Sequence, residues 1–269
     1  MLTAAILGPL FVLGVLYLPN PWFALLVGLI MLLGAREWTL LAGYGAGKEQ
    51  IIALAAVCGL MIAIYLHPDT VDEPLLLLAC VFWLVVALWL WVHRRTAPFL
   101  WPRPLRWLSG VLVLIPAWLA LTWLQGADPG SALMLLLLIW AADTGAYFAG
   151  RRWGRHRLAP AISPGKTLEG VWGALAGAVV VALGFGVWWG LEAVRSAGLV
   201  VLSVAVASIS IAGDLLESNW KRLADLKDSG TLLPGHGGVL DRIDSMTAAA
   251  PFLPWVGCGG LVPRRRDKV

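Results

Sequence analysis

Long uninterrupted apolar runs recur along the chain, and they leave few folds open. Leu75–Trp91 and Ser131–Trp140 contain no charged residue at all. A helix needs about 20 mostly apolar residues to cross the hydrocarbon core of a bilayer. Backbone groups in lipid must be satisfied within the segment itself, so spans of this kind are helices. A membrane barrel would instead show short segments with period-2 alternation, and these runs do not alternate. Composition agrees, since 59% of the 269 residues are hydrophobic and 13% are charged. A soluble chain carries roughly 25% charged residues, enough to cover a wet surface. Sixteen Trp and four Tyr suit the two membrane interfaces. The expected fold is all-α, a polytopic transmembrane helical protein whose partner is the lipid bilayer.

Nine apolar segments are expected, at 2–18, 22–43, 51–66, 75–93, 105–124, 131–150, 167–190, 196–216 and 245–262. Pro- and Gly-rich breaks separate several of them, such as Leu18-Pro19-Asn20-Pro21 and Gly126-Ala127-Asp128-Pro129-Gly130. Met1–Leu18 lacks a basic leader and a small-residue cleavage site, so it reads as a retained first span. Charge sorts the loops into two sets. Lys48, Arg94, Arg95, Arg103, Arg106, Arg151, Arg152, Arg155, Arg157, Lys166, Lys221, Arg222, Lys227 and Arg242 fall on one side. Asp69, Asp72, Glu73 and Asp128 fall on the other. The basic set should be cytosolic, which puts the N-terminus inside. Nine spans would then place Arg264, Arg265, Arg266 and Lys268 outside, against the rule. The ninth segment, with Pro251, Pro254, Gly257, Gly259 and Gly260, is therefore expected to be kinked or re-entrant, or the count is off by one. The net charge of +4 is a loop effect of this topology and not a nucleic-acid signal. Cys58, Cys80 and Cys258 stand alone in apolar stretches and read as small buried hydrophobes. One membrane domain, 1–269, is the simplest reading. Residues 1–130 are apolar spans, and 131–269 carry the polar residues of a catalytic region.

The eighth segment is the most informative. Continued as a helix, it brings Asp214, Glu217, Ser218, Lys221, Arg222 and Asp225 onto one face. Charged groups at membrane depth usually face a polar interior. The stripe should therefore line a cleft at the cytosolic edge of the bilayer. The Gly-rich stretch 227–244 follows. Its glycines permit close backbone approach, and successive exposed N–H groups can form an anion-binding concavity. Lys227, His236 and Arg242 add donors suited to phosphate. Asp241 and Asp244 share a helical face. Paired carboxylates beside a phosphate site point to hard divalent cations, magnesium above all. Upstream, Asp143, Tyr147 and Arg151 share a face, and Ser163-Pro164 is expected to cap a helix start with Lys166 close by. Glu37 beside Arg36 reads as an interfacial ion pair, and His67, His93 and His156 carry no special signal.

At these residues the chain resembles a known family. Ser218-Asn219-Trp220-Lys221-Arg222, then Lys227-Asp228-Ser229-Gly230, then the run from Leu233 to Asp244 looks like the phosphatidate cytidylyltransferase signature, across 27 positions from Ser218 to Asp244. Trp220 stands where the family usually has a smaller apolar residue. Asp143–Arg151 and Ser163–Gly170 also resemble family segments, while the first 130 residues add only general similarity. The resemblance implies that CTP and phosphatidate react to give CDP-diacylglycerol and pyrophosphate. It implies a magnesium requirement, a homodimer and a role in phospholipid synthesis; the expected place is the inner membrane, with the active site facing the cytosol as the basic loops do. The expected catalytic groups are Asp214, Lys221, Arg222, Asp241 and Arg242. The expected substrate-binding residues are Ser163, Lys166, Ser218, Lys227, Asp228, His236, Gly237 and Gly238. Two metal ions would be held by Asp214, Asp241 and Asp244, with Asp143 as a further ligand or orienting group.

Three rivals are weighed against this. A transporter would place its carboxylates near the midplane, whereas these lie at helix ends and in a glycine loop. A CDP-alcohol phosphotransferase would need Asp-Gly pairs, and the chain has no Asp-Gly dipeptide. A CTP-using lipid kinase would release CDP, so its product separates it.

Overall fold

The computed structural model describes residues 2–96, 101–232, 235 and 237–255. His236, residues 256–262 of the ninth segment, Cys258 and the C-terminal basic cluster lie outside the described residues. The chain is helical almost throughout. α1 (Leu2–Tyr17), α2 (Asn20–Leu41), α3 (Lys48–Leu66), α4 (Pro68–His93), α5 (Arg103–Ala127) and α6 (Pro129–Trp153) run in series. A hairpin of β1 (Arg157–Ala159) and β2 (Ser163–Thr167) follows, then α7 (Leu168–Trp188), α8 (Ala193–Leu223) and α9 (Leu240–Ala249). By length and composition, seven described helices, α2 to α8, can cross a membrane. α1 is a shorter apolar helix. Bulky side chains such as Trp172, Val180, Val187 and Val201 point outward, as they should toward lipid.

Eight of the nine expected segments correspond to α1–α8. The ninth differs. α9 starts at Leu240, spans only 10 residues and passes into a single turn at Ala250–Phe252, so the described part of this segment is too short to cross. The small hairpin is a second departure from an all-helical expectation.

Local chemistry sets the helix starts. Pro21 and Pro129 lie in the first turns of α2 and α6, where a missing N–H costs nothing. Asp128 caps α6 by accepting from the Ser131 N–H at 2.9 Å. Just past the end of α2, Gly43 holds φ +87°, a left-handed position suited to glycine, and the Arg103 and Arg106 side chains close over it.

Polar side chains tie α2 to α5 inside the apolar bundle. Trp118 Nε1 donates to the Ala24 carbonyl at 2.9 Å, and Trp38 Nε1 donates to the Arg106 carbonyl at 2.8 Å. Asn20 Nδ2 donates to the Thr122 carbonyl and to Gln125 Oε1, each at 2.8 Å. With no hydrophobic drive between helices in lipid, such bonds and close backbone contact hold the bundle. α6 and α7 use the second device. Gly145 and Gly173 face each other so closely that a Cβ on either would strike the other's carbonyl oxygen, and Gly177 lies likewise on Ala141. The contact fixes α6, with Asp143 and Tyr147, beside the start of α7.

Gly145→Val is expected to destabilise the protein by about 1–3 kcal/mol through overpacking. Gly184→Ala, where a Cβ meets no atom within 4 Å, should leave the unfolding midpoint in detergent unchanged or slightly raised. Thermal unfolding of the two variants checks this.

Candidate active site

A cavity of about 630 Å³ lies where the C-terminal ends of α6 and α8 meet the N-terminal ends of α7 and α9. The polar side chains of its wall come from five pieces of chain. α6 gives Asp143, Tyr147 and Arg151; β2 gives Lys166 and Thr167; α8 gives Asp214 and Lys221. The loop after α8 gives Asp228, and α9 gives Asp241, Arg242 and Asp244.

α8 delivers its share because the polar face runs to the end of a long helix. Ser218 Oγ donates to Asp214 Oδ1 at 3.2 Å, one turn away. Lys221 Nζ lies 2.6 Å from Asp241 Oδ1 and 3.4 Å from Glu217 Oε1. The stripe stops sooner than expected. α8 ends at Leu223, and Asp225 sits in a left-handed turn at φ +55°, exposed and off the helical face. Arg222 is also exposed, its Nε donating to the Ile162 carbonyl at 3.4 Å. Gly213 brings α9 onto α8: a Cβ there would lie 2.5 Å from the Asp244 carbonyl oxygen and 2.8 Å from Ala248 Cβ. That approach sets Asp214 and Asp244 on one cavity.

The segment after α6 differs from the expected cap. Ser163–Thr167 is a strand paired antiparallel with β1, Arg157 opposite Thr167 and Ala159 opposite Ser163. Thr167, not Ser163, caps α7, its Oγ1 accepting from the Gly170 N–H at 3.1 Å. Ser163 is half-buried and not part of the cavity wall. A strand suits the site better than a helix start here, because it carries Lys166 across to an ion pair with Asp214 of α8. His156 braces the hairpin, with Nδ1 2.7 Å from Glu169 Oε1.

The Gly-rich loop does not present a bare row of N–H donors. The Ser229 and Gly238 N–H groups donate to Asp241 Oδ2 at 3.0 and 2.8 Å. The Val239 and Leu240 N–H groups donate to Glu37 at 3.0 and 2.8 Å. Protein carboxylates fill the concavity expected to cradle phosphate. Gly237 holds φ +78° with Asp228 and Asp241 pressed against it, which a side chain would not tolerate. Lys227 is exposed and stands off the wall.

The two aspartates of α9 differ electrostatically although three residues apart. Burial tends to raise Asp241, but the Lys221 ammonium and the Gly238 and Ser229 N–H groups outweigh it, holding the carboxyl below its usual range. Asp244 has no such set of donors. Burial first, and then the nearby Asp214 carboxylate, push it up to about 7. Glu217 is 1% exposed, and Lys221 Nζ, 3.4 Å from its Oε1, is the cation nearest to it among the described ion pairs. Five cavity carboxylates and their buried neighbour Glu217 form an oxygen-rich donor set of the kind hard divalent cations need. No three His, Cys, Asp or Glu groups among the described residues are yet gathered around one point. Lys166 and Lys221 supply the local positive charge, one on Asp214 and one on Asp241.

Glu37 is the residue that sequence reasoning misplaced. It forms no ion pair with Arg36 among the described residues. It is buried, and its carboxylate bonds across to Ser229, Val239 and Leu240. The available signal was its register. Gly34, Glu37 and Leu41 are spaced along the inward face of α2, where a lone carboxylate demands internal partners.

Membrane-length helices that open onto carboxylates and cations at one end fit an integral multi-pass membrane protein with a polar site at the helix ends. The chain belongs to the cytidylyltransferase family, whose model matches residues 1–257. It is 41% identical over 253 residues to a phosphatidate cytidylyltransferase of Pseudomonas aeruginosa, covering 93% of each chain. It is 40% identical over 280 residues to the enzyme of that name from Haemophilus influenzae, covering 95% of this chain and 94% of the relative. With the one from Bacillus subtilis it shares 44% identity over 120 residues, 44% of this chain and 43% of that one.

Thr167→Ala is expected to cost about 1 kcal/mol by removing the α7 cap. It should also loosen the hairpin that carries Lys166, read as faster backbone exchange over 157–167 than over α8.

Proposed function

We propose that this chain transfers a cytidylyl group from CTP to phosphatidate, giving CDP-diacylglycerol and pyrophosphate. The observation that carries the reading is one cavity, at the ends of membrane helices, in which carboxylates of α6, α8 and α9 alternate with cations of β2, α8 and α9. A lipid phosphate reaches such a place from the bilayer, and a nucleotide reaches it from the water. Kinship with the two near-full-length relatives supports the same substrates.

In the proposed reaction a phosphate oxygen of phosphatidate attacks the α-phosphorus of CTP. The bond from that phosphorus to the β-bridging oxygen breaks, and pyrophosphate leaves. No covalent enzyme intermediate is required, so the protein's work is positioning and charge stabilisation. Lys221 and Arg242 lie on the wall where they can hold the triphosphate, and Lys166 lies on it paired with Asp214. Arg222 and Lys227 stand exposed beyond the wall, suited to the outer phosphates. Ser218 orients Asp214, and Gly237 and Gly238 let the loop close on Asp241. Asp214, Asp241 and Asp244, with Asp143, would hold magnesium, two ions in the fullest form. When bound it would neutralise the phosphates and the departing pyrophosphate.

The cavity lies on the side where Arg151, Lys166, Lys221 and Arg242 cluster, which supports a cytosolic opening. An inner-membrane setting and a homodimer complete the proposal, on the resemblance of the signature. The helix-end position also sets it apart from a transporter's midplane site.

The test is direct. Protein purified in mild detergent is given phosphatidate, magnesium and CTP labelled at the α-phosphorus. Label should enter the lipid phase and pyrophosphate the aqueous phase, and EDTA should stop both. Label remaining in water, or CDP as the product, would overturn the reading. Asp241→Asn should lower turnover by at least about 100-fold with expression and folding near normal; wild-type-like activity would remove the role given to it.

A further inference from the structure

Glu37 comes from α2, far in sequence from every residue of the cavity wall, and it does not line that wall itself. We propose that Glu37 is a positioning residue, whose carboxylate fixes the loop between α8 and α9 and through it the orientation of Asp241. The inference rests on the cytidylyl-transfer reading for its kinetic arm alone.

The geometry is a relay of hydrogen bonds. Glu37 Oε1 accepts from the Val239 N–H at 3.0 Å. Oε2 accepts from the Leu240 N–H at 2.8 Å and from Ser229 Oγ at 2.9 Å. The same short stretch turns its other donors the opposite way: the Ser229 and Gly238 N–H groups hold Asp241 Oδ2, at 3.0 and 2.8 Å. Asp241 Oδ1 in turn receives Lys221 Nζ at 2.6 Å. Ser229 thus touches both carboxylates, one through its hydroxyl and one through its backbone.

Two glycines show how tightly the clamp is drawn. A Cβ on Gly230 or on Gly238 would strike a Glu37 oxygen. The loop therefore needs glycine at those positions for closeness to Glu37, in addition to any need of a substrate. Glu37 is only 6% exposed and has no ion-pair partner among the described residues. A buried carboxylate is costly unless donors surround it. Here the donors are the hydroxyl, the first N–H groups of α9 and the positive end of that helix. Glutamine has the same shape, but its NH₂ would face at least one of those donors, so it cannot replace all three bonds.

The experiment compares wild type, Glu37→Gln and Ser229→Ala as full-length protein in detergent. Peptide-level hydrogen exchange over 229–241 should quicken in Glu37→Gln, while α6 and α7 exchange as in wild type. The KM for CTP should rise at least about tenfold, as loss of charge-assisted bonds allows. The KM for phosphatidate should stay within about twofold, the fold-change left when no such bond is lost. Ser229→Ala removes one bond of three and should shift both readouts the same way by less; it keeps the test open should Glu37→Gln not fold. Unchanged exchange over 229–241 in both variants overturns the proposal. So does an equal rise in both KM values with faster exchange throughout. If wild type makes no lipid product, the activity reading fails, and the exchange comparison still decides the clamp.

Discussion

A carboxylate buried at the ends of membrane-length helices must be met by a donor or a cation, and the site follows from how each one is met. Asp214 is met by Lys166, Asp241 by Lys221 and two backbone N–H groups, and Glu37 by a loop and a helix start. Asp244 and Glu217 are met less fully, Asp244 by the Ser245 N–H at 2.7 Å and Glu217 by Lys221 at 3.4 Å. The difference divides the acidic groups into those held by several partners and those held by one. A buried, partly unsatisfied set of this kind is a poor way to stabilise a protein. It is a good way to hold polyanions and their counter-ions together in the proposed reaction.

The fold serves that set by bringing helix ends to one level. α6 and α7 lie backbone to backbone on Gly145 and Gly173, which places Asp143 beside the hairpin of Lys166. Gly213 does the same for α8 and α9, placing Asp214 beside Asp244. The α2–α5 pair, tied by Trp38, Trp118 and Asn20, fixes the end of α2 from which Glu37 reaches the loop. The N-terminal helices therefore support the site as well as anchoring the chain.

Much of this was legible in sequence, for physical reasons. Lipid allows only apolar helices, so α1–α8 stand out as uninterrupted runs. A 3.6-residue period is enough to bring Asp214, Ser218 and Lys221 together. What stayed hidden depends on contacts between distant segments. Ser163-Pro164 has the local chemistry of a cap, yet pairing with Arg157–Ala159 makes it a strand and passes the cap to Thr167. The glycine loop has the chemistry of a phosphate cradle, yet Glu37, about two hundred residues away, takes two of its N–H groups. Asp225 falls on the helical stripe by spacing but leaves it because α8 ends at Leu223.

The proposed reaction requires that carboxylates from α6, α8 and α9 form one cation site beside bound nucleotide. Electron paramagnetic resonance of Mn²⁺ added to the purified protein with CTP tests it most directly, since it reads binding without turnover. Bound manganese in wild type, weakened in both Asp214→Asn and Asp244→Asn, is the expected result. Wild type that binds no manganese, or variants that bind it unchanged, would contradict the claim.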